Sequence, residues 1–347
     1  MWQLSYFPDG KGETLLNKKR KDTDYLCLSA QIRSKECNLL DRARMERMLE
    51  APTLQEAVRL LTEVGYENFD PNSESGLNHA LLLRREALFE EIYRYAPEPQ
   101  IIDVFKLKYD YHNLKAVIKS RGSDVSALLV DAGRVSVADL VNKHQESGSW
   151  DFLPPAMAEA AREGERVLAE TGDPQRSDAL MDRAFYAEMH QLAEGIHCPY
   201  LMRYVETTID AANLRSVIRT LRMGRSAAFL KDFLFPGGTV SPDAVLRDAV
   251  NGDAGNAYRA TVLRDAAAVG EDAVKSGASL TEFEKLCDDA VLAQAGTARR
   301  VPFGVEVVIG YVAAREAELT NVRIIMTGRM AGLPAQTIRE RLRESYV

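Results

Sequence analysis

The stretch Ala317 to Gly332, AELTNVRIIMTGRMAG, recurs in related form twice upstream, and that repetition decides the fold class. Setting Asn321 beside Asn213 and Asn113 aligns ELTNVRIIM with DAANLRSVI and DYHNLKAVI. An acid stands three residues before each Asn: Glu318, Asp210 and Asp110. A small aliphatic follows (Val322, Leu214, Leu114), then a cation (Arg323, Arg215, Lys115) and an apolar pair. The intervals between copies are 100 and 108 residues. Periods of that length predict three related helical domains and not a solenoid of short repeats. On a helix turning about 100° per residue, Asp110, Leu114, Val117 and Ile118 share one stripe, so the acid sits inside the apolar face. A buried carboxylate without a partner costs on the order of several kcal/mol, so each must meet a cation, a backbone donor or a wet cavity. Three such helices, one per domain, are expected around a common axis.

Two roles suit the six polar residues Asp110, Asn113, Asp210, Asn213, Glu318 and Asn321. They line a central cavity that receives another protein, or they satisfy backbone and Arg groups between packed helices and lock each domain; for each side chain taken singly the second is favoured. Lys115, Arg215 and Arg323 lie about 100° off the stripe and are expected to be solvated or to face a partner.

The rest of the composition agrees with a folded helical chain. The 347 residues are 46% hydrophobic and 27% charged, with 7% aromatics. That length fills one large core or two to three ordinary ones, and the Ala, Leu, Glu and Arg content favours helix. A formal charge of -7 argues against general nucleic-acid affinity. Cys27, Cys37, Cys198 and Cys287 are scattered, without a CxxC pair, and read as free or buried thiols of a reducing cytoplasm. No apolar run reaches the roughly 18 residues of a membrane helix, and no signal peptide precedes the first domain.

In chain order, residues 1–23 combine a Pro-Asp-Gly-Lys-Gly turn with the basic run Lys18 to Lys21, but form neither a dinucleotide fingerprint nor a P-loop. They are expected to be a loosely docked extension. Thr53-Leu54-Gln55-Glu56 forms a capping box before an apolar face of Leu54, Ala57, Val58 and Leu61. A polar loop from Glu67 to Gly76 precedes a helix expected from Leu77 to Tyr95, stopped by Pro97. After the first motif comes GRVSVADLV (Gly133 to Val141) and after the second GTVSPDAVL (Gly238 to Leu246), in which Ser136 and Ser241 are placed to cap short helices. In the third copy this unit shrinks to GLPAQTI. Pro97, Pro199 and Pro302 precede the three motifs, LMDRAF (Leu180 to Phe185) resembles LCDDAV (Leu286 to Val291), and Val305 to Val312 has helical spacing despite its β-branched residues. Junctions near Trp150 to Pro155 and Asn251 to Asn256 divide the chain into an extension, 1–23, and three helical repeat domains, 24–150, 151–252 and 253–347; the first and last parts are candidates to pack together.

No catalytic chemistry is legible. Glu194 and His197 have the spacing of a di-iron half-site, but no second copy exists and Gly195 with Cys198-Pro199 ends the helix, so a helix-end His is the better reading. His112 is replaced by Ala212 and Thr320 in the other copies, so it carries no shared role. There is no GxSxG elbow or HExxH pair, and no catalytic residue, metal or cofactor is assigned.

From about Asp24 to Val347 the chain closely resembles the C subunit of prokaryotic V/A-type (V-type) rotary ATPases, the counterpart of the eukaryotic V-ATPase d subunit. The matching segments are LLEAPTLQEAVRLL, YDYHNLKAVIKSR, TIDAANLRSVIR and ELTNVRIIMTGRMAGLPAQTIRERL, in order; the first two dozen residues depart from the family's pattern. The resemblance implies an all-α funnel of three similar helical domains about a pseudo-threefold axis. It implies a non-catalytic central-rotor component, peripheral on the cytoplasmic face of the membrane, serving ion or proton transport in an ATP synthase or hydrolase. Its expected partners are the D- and F-type central-stalk subunits and the membrane rotor ring of proteolipid subunits, with no nucleic acid and no small-molecule substrate. A threefold-like body on a ring of different symmetry needs adaptable polar contacts at the rim. A helical adaptor unrelated to rotary motors is the alternative, and a metalloenzyme built on Glu194 and His197 the more distant one.

Overall fold

Pro and Gly punctuation, capping side chains and buried apolar stripes set where each helix begins and ends in the computed structural model, which describes residues 21–347. The expected extension, apart from its last three residues, lies outside the described residues. The N-terminal group is α1 (Leu26–Glu36), α2 (Arg42–Glu50) and α3 (Leu54–Glu63). A first long hairpin follows, α4 (Glu74–Tyr95) and α5 (Ile101–Ser120), then the shorter α6 (Val137–Ser147) and α7 (Pro155–Thr171). The second hairpin is α8 (Pro174–Ile196) and α9 (Pro199–Arg222), followed by α10 (Ala227–Lys231), α11 (Pro242–Val250) and α12 (Arg264–Ser276). The third is α13 (Thr281–Gly296) and α14 (Val305–Met330), with α15 (Ala335–Arg339) near the C-terminus. Short 3-10 turns link them, and there is no strand among the described residues: the chain is all-α. No described helix is long and apolar enough to cross a membrane.

Local rules account for most boundaries. Thr53 Oγ1 accepts the Glu56 N–H at 3.2 Å, the first half of the expected capping box. α4 starts three residues before the expected Leu77, because Ser73 Oγ accepts the Gly76 N–H at 3.0 Å and pulls Glu74 to Gly76 into the first turn. The three prolines mark the three hairpin turns: Pro97 follows α4, Pro199 opens α9, and Pro302 precedes α14. The β-branched run Val305 to Val312 is helical because α14 is buried on almost every side, against α1, α2, α3, α4, α9 and α13, and tertiary packing there outweighs propensity.

Each long helix packs on the next in order: α4 on α5, α5 on α8, α8 on α9, α9 on α13, α13 on α14, and α14 returns to α4. The circle of six helices is thereby closed. The motif helices α5, α9 and α14 also meet one another through their N-terminal halves, with Phe105 and Tyr204 rings 5.3 Å apart, Lys108 and Tyr109 on Glu316, and α9 against α14.

Apolar side chains fall into three cores. One gathers the turn ends of all three hairpins (Ile92, Ile101, Ala193, Leu201, Ala295, Val308) with α1 and the α6–α7 region. A second joins the C-terminal half of α9 to α11, α12 and the start of α13. The third joins α2, α3 and the start of α4 to the C-terminal half of α14 and α15, so residues 40–81 and 319–342 share one core. Burying one Leu, Ile or Val is worth about 1.5–3 kcal/mol, so this shared core firmly ties the two ends of the chain.

Candidate functional site

All six repeated polar side chains are buried, and the hydrogen bonds they make bind loops to the motif helices. Asn113 holds Val130 with both halves of its amide, Nδ2 donating to the carbonyl and Oδ1 accepting the N–H, each at 2.8 Å. Asn213 holds Phe235 in the same way, again at 2.8 Å twice. Asn321 holds Arg343, at 3.2 Å to the carbonyl and 2.8 Å from the N–H. A primary amide matches a peptide group donor for acceptor, so one Asn satisfies a whole residue of loop backbone that burial would otherwise leave unpaired.

The acids make the second joint. Asp110 Oδ1 accepts from the amides of Arg134 (2.8 Å) and Val135 (3.0 Å), and Asp210 accepts from those of Thr239 and Val240, each at 3.1 Å. Val135 and Val240 directly precede Ser136 and Ser241, whose hydroxyls cap α6 and α11 as expected. The loop passes so near each carboxylate that a Cβ on Gly133 or Gly238 would stand 2.1 Å from its Oδ1; glycine is required there by close approach.

In the third copy Glu318 Oε2 accepts the N–H of Leu40, 278 residues away, at 2.7 Å. Leu40 directly precedes Asp41, whose carboxylate caps α2. Leu40 is therefore the counterpart of Val135 and Val240, and the third capping unit is supplied by the beginning of the chain. In GLPAQTI, Gly332 and Pro334 stop α14 and start α15 as expected, but the acid of the third motif clamps Leu40 and not this segment. The clamp from Asn321 falls on the C-terminal tail, so one loop in the first two copies becomes two chain ends in the third. Glu318 is one methylene longer than Asp, and Asn38 stands where Gly133 and Gly238 stand.

The acids differ in charge balance. Burial pushes Asp110 above the usual carboxylate range even though Arg134 pairs with it at 2.8 Å. Burial likewise raises Asp210, which has Thr239 and two amides but no cation. Glu318 pairs with Arg315 and accepts from the Tyr66 hydroxyl, each at 2.7 Å. Two residues earlier, Glu316 is buried between Arg85 (3.0 Å), Lys108 (2.7 Å) and the Tyr109 hydroxyl (2.6 Å). Burial alone would raise it, but Lys108 and Arg85 hold it down to about 2. Sequence reasoning missed Arg85, Lys108 and Glu316; the signal was the sequence Lys108, Thr208, Glu316 at one repeat position.

The three motif cations cross to neighbouring helices. Lys115 meets Asp182 of α8 at 2.6 Å, Arg215 meets Glu284 at 2.9 Å and also Asp288 of α13, and Arg323 donates to Asn78 Oδ1 of α4 at 2.6 Å. They sit in the seams between hairpins. His197 closes α8 at φ 55°, its N–H donating to the Glu194 carbonyl at 2.9 Å, and no group of three or more His, Cys, Asp or Glu among the described residues is arranged to hold a metal ion.

Known proteins are similar to this chain in sequence. The family model of the ATP synthase (C/AC39) subunit matches residues 28–341. The C subunit of the V-type sodium ATPase of Enterococcus hirae is 24% identical over 331 residues, covering 93% of this chain and 99% of the relative. The C subunit of the A-type ATP synthase of Methanocaldococcus jannaschii is 25% identical over 347 residues, covering 92% and 86%. The C subunit of the V-type ATP synthase of Thermus thermophilus is 24% identical over 327 residues, covering 91% and 98%. With three copies of one acid-and-Asn joint on a closed circle of helices, and a family match over nearly all of its length, the chain belongs to the ATP synthase (C/AC39) subunit family, that of the C subunits of the V/A-type rotary ATPases.

Proposed function

We propose that this chain is the non-catalytic socket of a V/A-type rotary ATPase, coupling the central stalk to the membrane rotor ring so that torque passes between them. In this reading the three repeats are domains about a pseudo-threefold axis, and their motif helices form a funnel. One observation carries it: α5, α9 and α14 converge around Phe105, Tyr204 and Glu316, whereas their C-terminal halves enter three different cores. Helices that meet at one end and part at the other leave a concavity between them. Lys108 supports such a floor: its ammonium pairs with the buried Glu316 at 2.7 Å while 44% of its side-chain surface is open to solvent.

A torque-bearing coupler needs stiffness and two interfaces that do not slip. The acid and Asn joints supply stiffness, since each fixes a loop to a motif helix without an exposed, easily strained contact. The partners on this reading are D- and F-type stalk subunits in the funnel and the proteolipid ring on the opposite side, at the cytoplasmic face of the membrane, with ATP handled by other subunits. Native mass spectrometry of the chain mixed with its stalk subunits, and then with the detergent-solubilised ring, tests this directly. One copy of the chain bridging both partners is expected; a folded chain that binds neither contradicts the coupling reading.

A further inference from the structure

Two grooves on the molecule are one groove in two repeats. The pair α7 and α8 aligns with the pair α12 and α13 without a gap, Gly164 with Gly270 and Leu180 with Leu286. An open groove of about 510 Å³ lies along the first pair and one of about 420 Å³ along the second. Ala156, Ala160, Leu180, Ala184 and Ala187 line the first; Val262, Ala266, Leu286, Ala290 and Ala293 stand at the same places in the second. The remaining lining differs. Arg162, Glu163 and Arg166 line the α7–α8 groove, held in ion pairs with Asp151, with one another and with Glu170. Ala268, Val269 and Asp272 take their places on α12, and none of the three lines the α12–α13 groove. Val262 there is 58% exposed. Of the charged groups at its edge, Asp265 pairs with Arg264, Glu344 with Lys285, and Asp289 accepts the Glu344 N–H while Arg299 lies over Tyr346. With three acids against three cations, the groove selects an occupant by apolar contact and not by charge.

The described chain begins beside one end of this groove. A Cβ on Gly304 would stand 3.9 Å from the Cβ of Asp22. Arg33 of α1 donates to the carbonyls of Ala298 and Val301, and Arg299, between those two in sequence, lines the groove. We propose that the α12–α13 groove is the seat of this chain's own first residues, with Trp2, Leu4 and Tyr6 as the side chains that fill it. Those three alternate with Gln3 and Ser5, a period of two that puts large apolar groups on one side of an extended stretch. The alanines of the groove leave room for them, and exposed apolar surface is removed from both sides. Reach is sufficient. Extended at about 3.3 Å per residue, residues 6–22 span about 53 Å, whereas Leu286, at the far end, is no more than about 45 Å from Gly304, counting eight extended residues to Gly296 and ten helical ones beyond. Seated there, the first residues strap the outer side of the third repeat to the turn of its hairpin. The proposal is independent of the coupling reading.

The test uses the full chain with its two exposed cysteines removed, Cys27→Ser and Cys37→Ser, and a new pair introduced. One chain carries Ser5→Cys with Ala293→Cys; the other carries Ser5→Cys with Ala187→Cys, the equivalent place in the α7–α8 groove. Neither groove position is fully buried, so both chains are expected to fold. The yield of intramolecular disulfide under mild oxidation is expected to be at least about tenfold higher at Ala293 than at Ala187, a factor that burial of one large apolar side chain supplies. Adding Trp2→Ser and Leu4→Ser, which leaves the length of the tether unchanged, is expected to lower the Ala293 yield about tenfold. Equal yields at the two places overturn the proposal. A preference for Ala293 that survives the loss of Trp2 and Leu4 also overturns it, since nearness of the tether alone would give that. A disulfide between two chains, read as a dimer on a non-reducing gel, overturns it as well, because the occupant is then a second copy.

Discussion

The joints after α5 and α9 are made by a loop on the helix that precedes it; the joint on α14 is made by the two ends of the chain. Asp110 and Asp210 reach amides 24 to 30 residues onward, whereas Glu318 reaches Leu40 across 278 residues. The same hydrogen-bonding geometry thus has opposite topological status. A local joint closes a short loop; the distant one closes the whole circle, by bringing α2 and α3 onto α14. Closure of a longer loop costs more entropy, though only logarithmically; each acid accepts three hydrogen bonds, but those of Glu318 come from three residues, Leu40, Tyr66 and Arg315, and those of Asp110 and Asp210 from two.

The largest effect is therefore expected at Glu318. Glu318→Ala strands the buried Arg315 guanidinium and leaves Tyr66 and Leu40 without their acceptor, at a cost of about 3–5 kcal/mol. Asp210→Ala strands a hydroxyl and amides but no cation, at about 1–3 kcal/mol. Urea unfolding of the two variants measures the gap; equal losses would remove the distinction between the joints.

Next comes the glycine at the local joints. Gly238→Ala is expected to cost about 1–3 kcal/mol by overpacking against Asp210, and Gly133→Ala similarly against Asp110. Asn38→Ala, at the matching place in the distant joint, is expected to change stability by less than about 0.5 kcal/mol. A thermal melt of each variant sorts them.

Acid should act on Glu316 in a defined window. Its carboxyl titrates below its ordinary 4.5, at about 2, because Lys108 and Arg85 more than offset burial. A depressed folded-state value means that this stabilisation is fully present above pH 4.5 and is lost as pH falls from there toward 2. Asp110 and Asp210, raised by burial, contribute the opposite slope above their ordinary 3.8. Glu316→Gln is expected to flatten the loss below pH 4.5 in an acid-unfolding series monitored by circular dichroism. The smallest effect is predicted for Lys119→Ala: its pair with Asp178 is well exposed, and stability should change by less than about 1 kcal/mol.

Much of this was legible in the sequence, for reasons that differ by residue. The all-α class and the motif positions followed from apolar spacing, caps and prolines, all short-range signals. Ser136 and Ser241 could be placed as caps because a cap acts within one turn. The substitution of Leu40 and Asp41 for the third capping unit was not legible, since nothing near Leu40 announces a partner 278 residues away and the Gly of the other two units is absent there. Lys115, Arg215 and Arg323 were expected to be solvated or to face a partner; Arg323 is exposed and the other two half-buried, and helical spacing gave that angle but not what stands beside each. Their acids and amide lie on α8, α13 and α4, and only the packing of consecutive hairpins brings them together.

Hydrogen exchange on the Glu318→Ala and Asp210→Ala chains, followed by mass spectrometry, most directly tests the claim that one joint recurs three times and is closed the third time by the chain ends. Glu318→Ala is predicted to lose protection in two segments far apart in sequence, around residues 40–66 and 319–343, while Asp210→Ala loses it only around 235–250. Loss confined to residues 319–343 in the Glu318→Ala chain, with 40–66 as protected as before, would contradict the account.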